Sequence, residues 1–308
     1  MYTEYKLDKA YEEAKHIPID DSSRIVIFSD AHRGDGSFTD EFAPNENIFL
    51  HALQYYYDEG FSLIENGDSE DLWLNNDFKY IYYAHPDVYE LIRKFHKQNR
   101  YTMIFGNHNI IMGKESYCQN HFWNVYDFNL GEEVPFLDGL VPVEAVRLGY
   151  RDFKEDVFIL HGHQGDLIND EFWIGSRFLL RKLWRHLRSI GFRSPVSPAR
   201  SEQKRHRVEK VYSKWIDENN QMTIIGHTHR PKFSHPGEIQ YFNTGSATRP
   251  RRVQTIEILG GSIFLVEWRI RPTPLGVLQV KRRVVDGPKA LSKYLKREPF
   301  KEEKNRIK

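Results

Sequence analysis

Five short apolar runs in this sequence end in aspartate, asparagine or histidine. The runs are "RIVIFSDAH", "FSLIENGD", "YTMIFGNHN", "DVFILHGH" and "TIIGHTHRP". A single histidine pair after a strand is explained as well by a solvated turn as by a metal site. Five strand ends of the same kind are poorly explained by turns, so together they predict one shared site. The candidate side chains are Asp30, His32, Asp68, Asn107, His108, His161, His163, His227 and His229.

Between the first three runs lie two segments with apolar residues at helical spacing, "NENIFLHALQYYYDEG" and "DVYELIRKFHKQN". Alternation of strand and helix is typical of a mostly parallel sheet covered on both faces. Ligands of such sheets bind beyond the carboxyl ends of the strands. The polar residues follow the strands at those ends, and Gly67, Gly106 and Gly226 would let the backbone pass close to a bound group.

The predicted ligands are imidazoles and carboxylates without a thiolate, a set that suits manganese, iron or zinc better than calcium. Seven or eight candidate ligands are too many for one ion. They fit two ions about 3.5–4 Å apart, an arrangement that handles in-line displacement at phosphorus, with one carboxylate bridging. The single cysteine, Cys118, excludes an intrachain disulfide and a cysteine zinc cage, and it suits a reducing compartment.

Charge and hydropathy narrow the class of protein. The 308 residues carry a formal net charge of +1, so no strong overall field attracts nucleic acid or membrane. No run approaches the roughly 18 apolar residues of a membrane span. The first twenty residues have no apolar signal core. A cytoplasmic protein is therefore expected.

The five motifs, in their order, resemble the calcineurin-like metallophosphoesterases over residues 24 to 250. The matching elements are Asp30-x-His32, Gly67-Asp68-x-x-Asp71, Gly106-Asn107-His108, a strand-terminal His161 and Gly226-His227-x-His229. The resemblance implies an α/β fold with a four-layer sandwich, in which two mixed β-sheets are flanked by helices. A hairpin with a Gly260-Gly261 turn in "VQTIEILGGSIFLVEWRI" and the stretch "EIQYFNTGS" fit the second sheet.

The resemblance also implies roles for individual residues. Asp30, His32 and His229 would hold one divalent ion, and Asn107, His161 and His227 the other, with Asp68 bridging. Manganese is the expected metal, with iron or zinc as alternatives. A hydroxide between the ions would attack phosphorus, and His108 would face the leaving group.

This implies hydrolysis of a phosphodiester or diphosphate bond in a small molecule, which could be nucleotide- or lipid-linked. The alternatives are a phosphomonoesterase, including a protein phosphatase, and a non-catalytic scaffold with the same fold.

Three positions leave alternatives open. Many relatives carry an acidic residue where this chain has Asn109, which predicts a smaller rise in the pKa of His108 and favours diesters with good leaving groups. In "HGH" only one histidine should bind metal, and His161 is chosen because it follows the strand directly, leaving His163 as a neighbour or substrate contact. Asp71 either fixes a loop or ligand or caps a helix.

A closer likeness links "GDSEDLWLNND" to the UDP-2,3-diacylglucosamine diphosphatases, in which an acidic residue and a tryptophan stand at the offsets of Asp71 and Trp73. "GHTHRP" fits the same group. Those enzymes usually carry arginine at the position of His108, and they follow the strand-terminal histidine with Gly-Asp instead of "GHQGD". The likeness therefore places the chain near this group of enzymes but does not imply that it shares their substrate.

An insertion over residues 165–220 interrupts the alternation and is expected to be a helical cap. Its segment 172–190 has an apolar helical face and many arginines, of which Arg177 and Arg181 are the candidate substrate contacts together with His163. A peripheral membrane or lipid contact through this basic helix and plain packing on the domain are the alternatives. No nucleic-acid module is recognisable, and the tripeptide at Arg33 is taken as chance.

The domain boundaries follow from these segments. Residues 1–21 are expected to form a peripheral helix, residues 22–280 the phosphoesterase domain, and residues 281–308 a charged tail with a short helix and a frayed end. Asn243 and Ser246 either support the site or form a turn.

Overall fold

The computed structural model describes residues 2–128, 130–165 and 202–296. In the described chain the α-helices are α1 (Tyr2–Glu12), α2 (Glu46–Asp58), α3 (Phe78–Ala84), α4 (Pro86–Lys97), α5 (Glu115–His121) and α6 (Glu202–Asn219). Short 3₁₀ turns lie at Ala43–Asn45, Ile110–Gly113 and Leu291–Lys293. Among the described helices, none is long and apolar enough to cross a membrane.

The strands form two large sheets and one small hairpin. The six-stranded sheet has the order β13-β12-β11-β2-β3-β4, the five-stranded sheet has the order β1-β7-β8-β9-β10, and β5 pairs with β6 alone. The strands are β1 (Lys15–Ile19), β2 (Arg24–Phe28), β3 (Ser62–Asn66), β4 (Tyr101–Ile104), β5 (Asn124–Asp127), β6 (Glu132–Pro135), β7 (Ala145–Tyr150), β8 (Val157–Leu160), β9 (Thr223–Ile225), β10 (Tyr241–Asn243), β11 (Arg252–Leu259), β12 (Ser262–Pro272) and β13 (Leu278–Ala290).

Both large sheets are mixed. Strands β2, β3 and β4 are parallel, because the α2 and α3–α4 segments cross over between them, and β11 joins the other edge of β2 antiparallel. In the second sheet, β8, β9 and β10 are parallel, while β7 runs antiparallel to β8. The predicted hairpin at Gly260-Gly261 is present as β11–β12.

Alternating side chains divide the molecule into four layers. Ile25 and Ile27 of β2 point into the core between the two sheets, whereas Val26 and Phe28 point to the core under α2 and α4. On the far side, Phe158 of β8 packs under α1 and α6. The order is therefore helices, six-stranded sheet, five-stranded sheet, helices, and the predicted α/β sandwich of two mixed sheets flanked by helices is confirmed.

Both expected terminal boundaries need correction. Residues 1–21 contain more than a peripheral helix, because Lys15–Ile19 forms β1 and pairs in parallel with β7. The segment after 280 is not a tail up to residue 296, because β13 pairs with β12 through Ala290. Beyond it, Leu291, Tyr294 and Leu295 are buried in the core between the sheets, and this burial of apolar side chains holds the segment in place. Residues 297–308 lie outside the described part.

The expected cap, 165–220, also has a different end. Its last portion forms α6, and Tyr212, Trp215 and Ile216 of this helix pack with Leu7 of α1 as part of the outer helical layer. The apolar face of α6 is thus used against the five-stranded sheet and does not cover the predicted site. Residues 166–201, which include segment 172–190, lie outside the described residues.

Candidate metal centre

The predicted ligands meet where carboxyl ends of strands from both sheets converge. Asp30 and His32 follow β2, Asp68 follows β3 and Asn107 follows β4 in the six-stranded sheet. His161 follows β8, and His227 and His229 follow β9 in the five-stranded sheet. Backbone hydrogen bonds join the loops, with Asp30 N donating to Gly67 O at 3.1 Å and His32 N to Asp68 O at 2.8 Å.

One cluster consists of Asp30, His32 and His229, whose ligand atoms lie within 4.8 Å of one another. His229 Nε2 is 3.0 Å from Asp30 Oδ1 and 3.2 Å from His32 Nε2. Two imidazole nitrogens at that separation cannot both be protonated without repulsion, so a shared cation would suit this geometry better than two protons. These are the three residues assigned to the first ion by the family resemblance.

The second cluster consists of Asp68, His161 and His227, again within 4.8 Å. Asp68 Oδ2 is 3.2 Å from His161 Nε2 and 3.7 Å from His32 Nε2, so this carboxylate oxygen faces both clusters. Such a position is what a bridging ligand needs. The structure brings His161, and not His163, into the cluster.

Buried polar atoms without hydrogen bonds test whether these residues fit a metal. Asn107 Oδ1 is buried and accepts no hydrogen bond from the described residues. Asp30 Oδ1 and His161 Nε2 likewise have no hydrogen-bond partner of acceptable geometry in the described chain. Because buried polar groups are almost always satisfied, such atoms call for a missing partner such as an ion. With imidazole, carboxylate and amide donors, the set fits divalent manganese, iron or zinc.

Neighbouring groups fix the orientation of the ligands. His161 Nδ1 lies 2.9 Å from Asn66 O and His229 Nδ1 lies 3.2 Å from Thr248 Oγ1, which leaves each Nε2 directed at the clusters. The non-ligand oxygen Asp30 Oδ2 accepts from His227 N at 2.9 Å. Asp68 Oδ1 accepts from His108 N at 2.8 Å. Partners of this kind set the imidazole tautomer and strengthen metal binding.

Two further predicted positions act on the same loops. Asn243 Nδ2 donates to Gly226 O at 2.7 Å and to Thr228 Oγ1 at 3.1 Å, so it holds the loop that carries His227 and His229. Ser246 Oγ lies 3.3 Å from Thr248 Oγ1, the hydroxyl that contacts His229. Both residues therefore support the site instead of merely forming a turn.

Five of the candidate ligand residues have left-handed backbone conformations. Their φ angles are Asp30 53°, His32 50°, Asp68 51°, His227 61° and His229 54°. A non-glycine residue in this region carries roughly 1–2 kcal/mol of strain. Such strain concentrates at functional sites, where the surrounding structure imposes it.

The glycines of the motifs make room for ligand side chains. A Cβ at Gly67 would overlap His161 Nδ1, one at Gly106 would overlap Asp68 Oδ1, and one at Gly226 would overlap the hydroxyl of Ser29. The predicted close approach is therefore made by the ligands themselves, and any larger residue at these positions would displace them.

The buried charges are strongly coupled. Burial acts to raise the pKa of Asp30, but the imidazoles of His229 and His161 outweigh it and lower that pKa well below its usual range. Burial acts to lower the pKa of His161, whereas the carboxylates of Asp68 and Asp30 raise it to about 9. The carboxylates thus remain ionised and attract positive charge to the point where the clusters meet.

His108 lies at the rim and has a carboxylate partner that the sequence analysis did not assign to it. Its Nδ1 is 3.0 Å from Asp71 Oδ1, and its ring stacks on Trp73 with centroids 4.3 Å apart and planes at 15°. Asp71 also accepts from Leu74 N at 3.2 Å, so it caps the following turn as well. The smaller rise in the pKa of His108 was predicted from Asn109 alone, and Asp71 supplies a carboxylate that this prediction did not consider.

None of the three predicted substrate contacts belongs to a ligand cluster of the described residues. His163 is buried, belongs to neither ligand cluster, and has its ring centroid 5.6 Å from that of His161. Burial and the neighbouring His161 and His227 lower the pKa of His163 well below its usual value. Arg177 and Arg181 lie outside the described residues.

Sequence reasoning missed a buried ion cluster directly behind the site. Arg33 is fully buried and donates from Nη1 to Glu65 Oε1 at 2.7 Å and from Nη2 to Glu65 Oε2 at 2.9 Å and Glu70 Oε1 at 2.7 Å. Asn109 Nδ2 donates to Glu70 Oε2 at 3.0 Å, and Asn109 Oδ1 accepts from Gly106 N at 2.7 Å. We call Arg33, Glu65, Glu70 and Asn109 the anchor cluster. It ties together the loops that follow β2, β3 and β4.

Comparison with known proteins places this geometry in context. A family model described as the calcineurin-like phosphoesterase superfamily domain matches residues 24–263. A comparison with curated proteins finds no match.

Several solved structures match at low similarity. Vacuolar Protein Sorting 29 from Cryptosporidium parvum is 11% identical, with 86% of this chain and 98% of that chain covered and a TM-score of 0.37. A cold-active protein-tyrosine phosphatase of a psychrophile, Shewanella sp., is 12% identical, with 87% and 84% covered and a TM-score of 0.36. A putative 5'-nucleotidase from Staphylococcus aureus is 13% identical, with 85% and 53% covered and a TM-score of 0.33. At these TM-scores no property of those proteins is carried to this chain.

Proposed function

The chain belongs to the calcineurin-like phosphoesterase superfamily, and from that membership we propose that it is a metal-dependent hydrolase of a phosphodiester or diphosphate bond. The observation that carries the proposal is the meeting of Asp30, His32 and His229 with Asp68, His161 and His227 in two adjoining buried clusters. Asn107 Oδ1 completes the donor set. Two divalent ions, manganese first and iron or zinc as alternatives, are the proposed cofactors.

Divalent ions held there would polarise a phosphoryl oxygen and lower the pKa of bound water. The protein's own residues supply the rest. The left-handed backbone and the hydrogen bonds to Asp30 Oδ2 and Asp68 Oδ1 hold the carboxylates in place before any ligand binds. Because the two carboxylates are already in position, they need not move during the reaction.

His108 is the proposed contact to the leaving group. The side chain of His108 is 22% exposed, whereas the metal-facing histidines of both clusters are more deeply buried. Asp71 at Nδ1 and the ring of Trp73 fix the imidazole plane, and the proposed role of Nε2 is to donate a proton or a hydrogen bond to a departing oxygen.

A diphosphate bond is the more specific form of the proposal. The stretch that carries Asp71 and Trp73 is the one that resembles the UDP-2,3-diacylglucosamine diphosphatases, and both side chains contact His108 in the structure. We propose only the bond type from this likeness, since His108 stands where those enzymes usually carry arginine.

Phosphomonoester hydrolysis is the second candidate function, and the pairing of His108 with Asp71 favours it. A monoester with a poor leaving group needs a well-oriented proton donor, and this pair provides one. The preference for good leaving groups that followed from Asn109 alone is thereby weakened. A non-catalytic scaffold is the remaining alternative.

The first experiment is to measure the metal content of the purified chain and its manganese-dependent hydrolysis of bis(p-nitrophenyl) phosphate and p-nitrophenyl phosphate. Near two ions per chain with faster diester turnover supports the proposal, whereas faster monoester turnover supports the second candidate. The variant His227→Ala should lose metal and turnover. His96→Ala is the matched control, because His96 Nε2 lies 2.9 Å from Asp138 O at the surface and His96 belongs to neither cluster. Two bound ions without turnover on either compound or on nucleoside diphosphate esters would favour the scaffold.

A further inference from the structure

The end of the β12–β13 hairpin projects beyond the rest of the six-stranded sheet. The last pair between β11 and β12 is Arg252 with Arg269, and the pairs from Ile270–Val280 to Pro272–Leu278 have no third strand beside them. We call residues 269–284 the outer hairpin.

The outer hairpin projects from the edge of the sheet that carries the metal centre. Asp30 follows the carboxyl end of β2, and β11 runs antiparallel to β2, so the start of β11 lies at that edge. Ala247 N donates to Asp30 O at 3.3 Å just before β11 begins. Strand β12 is antiparallel to β11, so it ends at the same edge.

One face and the tip of the outer hairpin are apolar and exposed. Side chains of a strand alternate between faces, so Ile270 and its partner Val280 share the face of the buried Trp268. Pro272 and Leu278 continue this face. At the tip, Leu275 is 91% exposed, Leu278 69% and Val277 57%. Val280 lies at the border of the core under α2, which covers Trp268, whereas Pro272 and Leu278 further along the face are exposed.

The opposite face is basic. Arg269 pairs across the strands with Lys281, and Arg271 and Arg283 lie on the same face. Arg269 contacts Glu267 at 3.2 Å, but Arg271, Lys281 and Arg283 form no ion pair with any described residue. The outer hairpin contains five basic side chains and no acidic one, and two of the five, Arg269 and Arg282, pair with Glu267 and Glu257 outside it. The formal net charge of +1 for the whole chain therefore does not reflect the local positive charge of the outer hairpin.

We propose that the outer hairpin docks onto an anionic lipid surface, with its tip in the boundary between headgroups and acyl chains. Apolar side chains bind at that depth, and the arginines and lysine that follow the tip on both strands would lie at the level of the anionic headgroups. Docking in this way turns the edge that carries Asp30 toward the membrane. The segment involved is different from 172–190.

The charge and the apolar tip together favour lipid over other partners. A nucleic acid would use the basic face but leave the tip in water. A second copy of the chain would bring another set of uncompensated cations beside the first, which opposes association. An anionic membrane would contact the apolar tip with its acyl chains and the basic face with its headgroups.

Co-sedimentation of the full chain with vesicles tests the proposal. Vesicles of equal parts phosphatidylglycerol and phosphatidylcholine should bind the wild-type chain, and vesicles of phosphatidylcholine alone should bind it much less. The pair Leu275→Asp with Val277→Asp and the pair Arg271→Glu with Lys281→Glu should each weaken binding by at least about tenfold. The matched control reverses two exposed lysines on α4, Lys94→Glu with Lys97→Glu, and should keep wild-type binding. Thermal unfolding verifies that each variant folds.

Several results would overturn the inference. These are failure of the wild-type chain to sediment with the anionic vesicles, equal losses in the α4 control, and full binding by the aspartate variant. A wild-type dimer in sedimentation velocity that the aspartate variant splits would assign the surface to a second copy instead. Binding to a DNA duplex that depends on Arg271 and Lys281 but not on Leu275 would assign it to nucleic acid.

Discussion

At the scale of single residues, Asp71 changes the chemistry expected of His108. A neutral Asn109 beside His108 suggested an imidazole with no acidic partner, but the carboxylate arrives from the loop after β3 at 3.0 Å. The amide of Asn109 is instead used behind the site, on Glu70 and Ser69. Position along the chain therefore misled the interpretation, because the partner of a side chain is set by the loop that lies opposite to it.

The first prediction concerns this pair. Asp71→Asn and His108→Asn should each lower kcat by about 10²–10³-fold on a substrate with a poor leaving group, because oriented proton donation is lost. The double variant should be little worse than either single one, as expected for residues that act as a unit. Metal content should be unchanged. Asp77→Asn is the control on the same segment, since Asp77 caps α3. If the losses in kcat are additive in the double variant, Asp71 and His108 act independently of each other.

The second prediction concerns the anchor cluster. Arg33→Met should lower the free energy of unfolding by about 3–5 kcal/mol, because Glu65 and Glu70 are left buried without a counter-charge. It should also weaken manganese binding, measured by titration well below the melting temperature, because three ligand-bearing loops lose a common partner.

The control for this prediction is a second buried ion pair. Arg282 contacts Glu257, which is fully buried, through Nε at 2.8 Å. Arg282→Met should destabilise the chain without changing manganese affinity. If the two variants weaken metal binding to the same extent, the effect of Arg33 is one of general stability only.

Residue types and their order were enough to predict which side chains meet at the candidate site, but the residues behind them were not predictable. Each motif residue stands directly after an apolar run, which is a local signal. Arg33 and Glu65 are 32 positions apart, and only the parallel register of β2 and β3 brings their loops together. The one sequence signal was Glu65 itself, a charged residue inside the apolar run "FSLIEN".

At the scale of elements, the segment after β13 differs most from its expected state. Alternating charges suggested a short helix followed by a frayed tail, and a 3₁₀ turn is present at Leu291–Lys293. The burial of Leu291, Tyr294 and Leu295 in the core between the sheets decides the structure. Composition is a weak guide where a few apolar contacts outweigh a charged stretch.

The third prediction tests this segment. Leu291→Ala should lower the free energy of unfolding by about 2–5 kcal/mol, since a fully buried leucine leaves a cavity. Leu278→Ala is the matched control at the exposed start of β13 and should change it by less than about 0.5 kcal/mol. Chemical denaturation measures both; similar midpoints for the two variants would mean that the segment is not part of the core.

The fourth prediction concerns an ion triad that joins the loop after β2 to α2 and α4. His85 is the N-cap residue directly before α4, and its Nε2 is 2.8 Å from Asp40 Oδ2 while its Nδ1 is 3.0 Å from Glu46 Oε1. Burial acts to lower the pKa of His85, but the carboxylates of Asp40 and Glu46 outweigh it and raise that pKa above its usual value. Burial acts to raise the pKa of Asp40, whereas His85 lowers it below its usual value.

The signs of these shifts define a pH window. The contribution of His85 is complete below its unfolded pKa of about 6.5 and is lost as pH rises through the raised folded value. The contribution of Asp40 is complete above about pH 4 and is lost as pH falls through its lowered value. The difference in melting temperature between the wild-type chain and His85→Gln should therefore be largest near pH 5 to 6. A difference that grows between pH 7 and 9 would contradict the assignment.

At the scale of the whole molecule, the two sheets meet at a site with strained backbone and with buried polar atoms that no described residue satisfies. The fifth prediction is that manganese raises the melting temperature, because the ion binds only the folded chain. At a free manganese concentration of about a hundred times Kd, the free energy of unfolding should rise by about 2.7 kcal/mol. A chelator should reverse the shift, and His227→Ala should reduce it. An equal shift in that variant would place the stabilising ion elsewhere.

The architecture was predictable only in part. Strand–helix alternation predicted the parallel strands β2, β3 and β4, because each crossover is local in sequence. The placement of β11 beside β2 had no local signal, and neither did the pairing of β1 with β7. Long-range pairing is decided by the fit of whole sheets, which a single sequence does not display.

The pairing of β2 with β11 has a consequence for the order in which the chain acquires its structure. Thr255 donates its hydroxyl to Ile27 O, a residue 228 positions away. During synthesis, β2 and its parallel neighbours emerge long before β11, and the edge of β2 that pairs with β11 stays unpaired until then. Such non-local pairing slows folding and exposes intermediates to aggregation. The growing chain therefore carries an unpaired edge of β2 until β11 has left the ribosome.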